Sequence, residues 1–195
     1  MSKNIETLME HYRELQEVLE KTLDLHNNTI LTIAEKIIKA YRNSKKLIIF
    51  GNGGSYADAL HFAGELEGAY RNRNRPALPA LVPNPAAVTA IANDFNYDQT
   101  FKRFVEANAN QKDIVIGIST SGNSKNILVA LEEARRKKAA TFAFTGEGGG
   151  EIKKRGLADI LLNVASSDTP RIQEAYKFAF HEICDIVERV LSQGT

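Results

Sequence analysis

His61 and Glu65 stand four residues apart in HFAGE, a spacing that puts both side chains on one face of a helix, about 40° apart. Gln173 and His181, eight apart in QEAYKFAFH, are offset by about 80° and can face one partner. Two imidazoles, a carboxylate and an amide oxygen could hold a divalent ion; the imidazoles favour zinc, and the neutral amide is an uncommon ligand. The same groups could instead move protons. The plainer reading of a His-x₃-Glu pair is a solvated or capped contact on a helix surface.

A second kind of chemistry is written in two turns. STSGNS, Ser119 to Ser124, gathers four hydroxyls and a glycine between an apolar run and a helical pattern, where free backbone N–H groups and the helix dipole attract an anion. A phosphate fits such a turn. The segment is neither the dinucleotide fingerprint nor GxxxxGK[ST], which disfavours a nucleotide there. The competing reading is that these serines only cap the helix. GNGGS, Gly51 to Ser55, also joins an apolar run to a helical pattern, and its glycines permit close approach of backbone to a ligand. Together the two turns indicate a polar small-molecule site.

Other candidates carry less chemistry. ANDFNYD, residues 92–98, places Asn93, Asp94 and Asp98 in a polar loop after a strand, near the crevice. His11 and His26 read as structural, and Cys184 as a buried small hydrophobe rather than a nucleophile. The basic loop with Arg71, Arg73 and Arg75 reads as solvated surface, and the ARRKK run at 134–138 as a favourable helix C-terminus.

The elements that must position these groups follow from periodicity. Residues 5–43 hold two stretches with helical spacing, Leu8 to Leu19 and Ile30 to Tyr41, and so predict two amphipathic helices. Strands are predicted at 47–50, 79–82, 114–118, 141–145 and 160–164, with helices after the two polar turns, one of them at 123–137, and a long helix at 169–191. Strand-turn-helix units of this kind imply an α/β fold: a three-layer sandwich with a five-stranded parallel sheet of the flavodoxin-like type. Its ligand crevice belongs at the carboxyl ends of the strands, where both polar turns fall.

With 195 residues, one domain is expected: N-terminal helices over 1–44 and an α/β core over 45–195. Twenty-five Lys and Arg against 24 Asp and Glu leave a net charge of +1, so no global field marks a nucleic-acid or membrane binder. A single cysteine, short apolar runs and a charged N-terminus disfavour secretion and membrane spanning, and a cytoplasmic protein is expected.

Taken together, GNGGSYADALHFAGELEGAY, AIANDFNYDQTF, ISTSGNSKNILVAL and DTPRIQEAYKFAFHEICDIVE resemble, in order, the signatures of the sugar isomerase (SIS) domain family, and within it the phosphoheptose isomerases. The resemblance covers residues 45–190. It implies isomerisation of sedoheptulose 7-phosphate to glycero-manno-heptose 7-phosphate, the first step toward nucleotide-activated heptose, ADP- or GDP-linked, for surface glycans such as lipopolysaccharide. It implies Glu65 and His181 as the acid–base pair. It implies zinc on His61, Glu65, Gln173 and His181, one ion per subunit. Substrate contacts carried over are Asn52, Gly53, Gly54, Ser55, Glu65, Asn93, Asp94, Ser119, Thr120, Ser121, Ser124, Asp168 and Gln173. A homotetramer follows by the same resemblance, in line with apolar stripes on the terminal helices that exceed what one small sheet can cover. Tyr56 and Tyr176 depart from the family's usual residues. Two alternatives stand beside this: a non-enzymatic SIS module of the replication-initiator-associating type, and an isomerase for another sugar phosphate.

Overall fold

The computed structural model describes residues 2–192. A helix α1 (Ser2–Arg42) leads into strand β1 (Leu47–Gly51), then α2 (Gly54–Glu67), β2 (Ala80–Leu81), α3 (Pro85–Asp94), a 3₁₀ turn at Tyr97–Gln99 and α4 (Thr100–Asn108). The second half runs β3 (Ile114–Ser119), α5 (Lys125–Arg136), β4 (Ala140–Thr145), α6 (Gly150–Lys154), β5 (Ile160–Asn163) and α7 (Thr169–Ser192). All five strands are parallel, in the order β2-β1-β3-β4-β5. This is the expected flavodoxin-like order, whose direction of winding reverses between β1 and β3.

Alternation along the strands sorts side chains to the two faces of the sheet. Leu47 and Ile49 of β1, Ile114, Ile116 and Ile118 of β3, and Phe142 and Phe144 of β4 pack with α1, α2 and α7. Ile48, Phe50, Val115 and Ala143 face the other way, onto α4, α5 and α6. Cys184 is buried on α7, as its apolar surroundings suggested. Among the described residues, no helix is long and apolar enough to cross a membrane.

Four expectations are corrected. The two N-terminal helices are one helix of 41 residues, about 60 Å long. Leu19 and Ile30 are eleven residues apart, only about 20° out of phase, and no Gly or Pro intervenes, so the two apolar stripes merge into one. Asn93 and Asp94 lie not in a loop after a strand but in the last turn of α3. That helix starts because the Asn84 side chain accepts from the Ala86 N–H and Pro85 fits a first-turn position. Strand β2 is shorter than expected because prolines at 79 and 83 confine the ladder to two residues.

Arg75, expected on a solvated loop, is instead buried. Arg75 and Glu188 are both buried, and Nε donates to Glu188 Oε2 at 2.7 Å. The Glu188 carboxylate also accepts the backbone N–H groups of Tyr70, Arg71 and Asn72 at 2.7–3.0 Å. Arg75 in turn donates to the carbonyls of Glu65 and Leu66, closing the C-terminal end of α2. Burial alone would raise the Glu188 pKa, but Arg75 and the three N–H groups hold it below the ordinary glutamate value.

Candidate active site

Both polar turns leave the carboxyl ends of β1 and β3, the two strands at the winding reversal, and a pair of amides bridges them. Asn52 Nδ2 donates to Asn126 Oδ1 at 3.0 Å, and Asn126 Nδ2 donates back to Asn52 Oδ1 at 2.8 Å. Tyr97 Oη also donates to Asn52 Oδ1, at 2.8 Å, bringing the segment after α3 to the crevice. Ser55 is buried in the first turn of α2.

In the second turn Ser119 is buried, and its hydroxyl donates to Ser124 Oγ at 3.2 Å. Ser124 holds the N-cap position of α5, yet its side chain makes no cap hydrogen bond. The reading of these serines as mere caps therefore fails at Ser124; the Ile127 N–H is taken by the Ser124 carbonyl, and those of Lys125 and Asn126 stay open to the loop. Thr120 and Ser121 lie on the open side of the turn, where Ser121 Oγ accepts the Asn123 N–H at 3.2 Å. The glycine run 148–150 packs against this turn. A Cβ on Gly122, which has φ +66°, would lie 2.3 Å from the Gly149 carbonyl.

The groups suited to proton transfer or metal binding meet elsewhere, between α2 and α7. His61 Nε2 lies 3.0 Å from Glu65 Oε1 and 3.4 Å from His181 Nε2, and one ligand atom from each of the three falls within 4.8 Å of the others. Two bonds of about 2.0–2.1 Å at a tetrahedral angle place donor atoms about 3.3 Å apart. The spacing and the donor types therefore fit a zinc-sized ion. Burial, and then the adjacent His61 imidazole, hold His181 below the ordinary histidine value, which keeps its lone pair free near neutrality. Phe180 stacks edge-on against both imidazoles and Tyr70 lies over His181, fixing the rings.

The remaining predicted residues lie outside that three-residue cluster. Gln173 lies two turns before His181 on α7, against the start of α2, where a Cβ on Gly54 would come within 2.5 Å of its Nε2. Gly53 is exposed beside it. Asn93 Nδ2 donates to Asp94 Oδ1 at 2.9 Å at the exposed end of α3. Asp168, exposed at the start of α7, faces Arg171 at 3.7 Å. Tyr56 donates to the Pro83 carbonyl, and Tyr176 is fully buried, so neither lines the crevice as a free ring.

Sequence reasoning missed Asn126, Tyr97, Arg75 and Glu188. Asn126 sits on a mainly apolar buried face of α5, and Glu188 follows Val187 in the apolar stripe of α7. A polar residue at a core position was the available signal in both, since burial demands a partner.

An α/β fold with a hydroxyl-rich turn at its winding reversal and a separate His–Glu–His cluster fits the class of sugar-phosphate-handling proteins. The SIS domain sequence model matches residues 10–146, and the chain belongs to that family. It is 46% identical over 181 residues to the probable phosphoheptose isomerase of Thermoplasma acidophilum, covering 92% of this chain and 98% of that one. It is 49% identical over 157 residues to the phosphoheptose isomerase of a Geobacter species, covering 80% of each. Among solved structures, phosphoheptose isomerase GmhA from Neisseria gonorrhoeae superposes with a TM-score of 0.87 at 33% identity, covering 94% of this chain and 98% of that one. A phosphoheptose isomerase from Francisella tularensis gives 0.90 at 30%, covering 95% and 98%.

Proposed function

We propose that this chain is an aldose–ketose isomerase that converts sedoheptulose 7-phosphate to D-glycero-D-manno-heptose 7-phosphate, the entry step to nucleotide-activated heptose. The observation that carries it is the convergence of His61, Glu65 and His181 within 4.8 Å in a chain that also keeps an anion-seeking hydroxyl turn. That convergence disfavours a binding module without catalysis, since such a module has no use for three titratable groups at one point.

Moving a carbonyl between C2 and C1 requires taking a proton from one carbon and returning it to its neighbour through an enediol. Glu65 is the base, its Oε1 lying 3.0 Å from His61 Nε2. His181, on the opposite helix, is the partner acid. The phosphate sits on Ser119, Thr120, Ser121 and Ser124, with Gly53, Gly54, Ser55 and Asn52 on the other side of the crevice. Asn93, Asp94, Asp168 and Gln173 complete the polyol contacts. Zinc would be held by His61, Glu65 and His181, with Gln173 as fourth ligand; bound there, it would polarise the carbonyl and steady the enediolate oxygen.

About 15 Å of helix axis separates Ser55 from Glu65 on α2. That separation, and the exposed Ile5, Leu8, Tyr12, Phe95 and Tyr97, support a homotetramer in which neighbouring subunits complete each site. The proposed setting is the cytoplasm.

The test is NMR of sedoheptulose 7-phosphate with the protein in D₂O, beside folded Glu65→Gln and His181→Asn variants and a panel of pentose and hexose phosphates. Heptose 7-phosphate formed only by the wild type is the expected result. No conversion and no proton exchange, with or without zinc, overturns the assignment, and faster turnover of a shorter sugar moves it to that substrate.

A further inference from the structure

At the end of the sheet opposite the crevice, where strands begin, a cavity of about 430 Å³ opens between the last turns of α1 and the segments entering β3 and β4. Lys36, Lys39, Lys45, Lys112 and Lys138 line it, no carboxylate does, and the floor is apolar, formed by groups such as Ile114. None of the five ammonium groups has an ion-pair partner among the described residues. The nearby Asp113 is already taken by Lys46 at 2.6 Å and by the Asn110 N–H at 2.8 Å. In a chain of net charge +1, five unneutralised cations around one cavity repel one another unless an anion occupies it.

The backbone adds a second observation. Among the described residues, only Ser44 (φ 55°), Lys112 (φ 69°) and Lys138 (φ 60°) take left-handed conformations without being glycine. All three lie at this end of the sheet: two supply cavity lysines, and Ser44 precedes a third. Lys138 holds the left-handed position just past α5, closed by the Ala139 N–H to the Ala134 carbonyl at 3.0 Å, and the Lys112 N–H donates to the Lys138 carbonyl at 3.0 Å. Glycine is the unstrained residue at such positions. Here strain is accepted where it presents ammonium groups to a cavity.

We infer that this cavity binds a nucleoside di- or triphosphate, with the phosphates among the lysines and the base against the apolar floor. Five cations exceed what a single phosphate needs, and the volume lies within the roughly 300–1,000 Å³ of small-molecule sites. The five lysines surround a single concavity rather than a linear groove, which suits a small anion better than an extended polyanion. The site lies across the sheet from the crevice, so sugar phosphate and nucleotide do not compete.

Calorimetry of the full chain with ATP at about 0.05 M salt tests this, beside inorganic triphosphate and a Lys112→Gly/Lys138→Gly variant. The glycines relieve the backbone while removing two charges, so thermal unfolding of the variant remains at least as high as that of the wild type. Saturable ATP binding is expected, weaker by about tenfold or more in the variant, weaker for triphosphate alone, and unchanged by saturating sugar phosphate. No saturable binding, binding unaltered in the variant, or displacement by the sugar phosphate overturns the site. Triphosphate binding as tight as ATP overturns its nucleoside part.

Discussion

Asn52 and Asn126 exchange two side-chain hydrogen bonds across the point where the winding of the sheet reverses, tying the glycine turn after β1 to the hydroxyl turn before α5. Asn126 is buried, so an apolar replacement leaves Asn52 with an unmatched amide. Unmet polar groups of this kind cost about 1–3 kcal/mol. Steady-state kinetics of Asn126→Leu should show kcat/KM reduced about tenfold or more, chiefly through KM. Wild-type kinetics in that variant would mean that the two turns hold their places independently.

Zinc binding at His61, Glu65 and His181 should be proton-linked, because each imidazole must give up its proton to bind metal. His181 is held below the ordinary histidine value, so it stays neutral into mildly acidic solution. Affinity should therefore hold near neutrality and fall as pH drops below the ordinary histidine value of about 6.5 toward about 5. In His181→Ala it should be about tenfold weaker or worse at any pH in that range. Competition with a chelating dye measures both, and a pH-independent affinity argues that imidazole is not a ligand.

The Arg75–Glu188 pair should carry a large part of the fold's acid sensitivity. Because the folded protein holds Glu188 below its ordinary value, the carboxylate stabilises the fold above that value, and the contribution is lost as pH falls through the depressed one. Arg75→Met leaves a buried carboxylate unpaired, at a cost of about 3–5 kcal/mol in urea unfolding. Glu188→Gln should unfold with a shallower dependence on acid than the wild type. If both variants keep the wild-type pH profile, the pair is not the acid-labile element.

Leu8 and Tyr12 stand on one exposed face of α1, two-thirds and half accessible. If that stripe is covered by another subunit, Leu8→Glu with Tyr12→Glu should dissociate the assembly without unfolding the core, which begins at Ile30. Light scattering reads the mass directly. A wild-type monomer refutes the proposed assembly.

How much of this was legible beforehand depended on how local each signal was. The five strands and the two polar turns announce themselves in short runs such as LIIFG and STSGNS, whose patterns need no distant partner. His61 and Glu65 could be paired from helical spacing alone; His181 could be grouped with them only as a candidate ligand set, to which the family resemblance then pointed. Arg75 was misplaced because its partner is 113 residues away, and one charged residue in a polar loop looks like any other until that distance closes. The single long α1 was missed for a different reason. Asn27 and Asn28 look like a break, but nothing there forbids helix, and the stripes on either side are in phase.

The long α1 also orders the chain's assembly in time. Its apolar face, from Ile30 to Ile38, packs against α7 and β5, and the Arg171 guanidinium donates to the His11 carbonyl. Of the described elements, the first to leave the ribosome is thus completed by the last. Folding that ordinarily proceeds from the N-terminal side during synthesis must here wait, with the α1 face bare, until residues 169–192 have emerged. A stalled or truncated chain lacking α7 exposes that face and offers the cell an aggregation-prone, protease-sensitive fragment in place of a smaller enzyme.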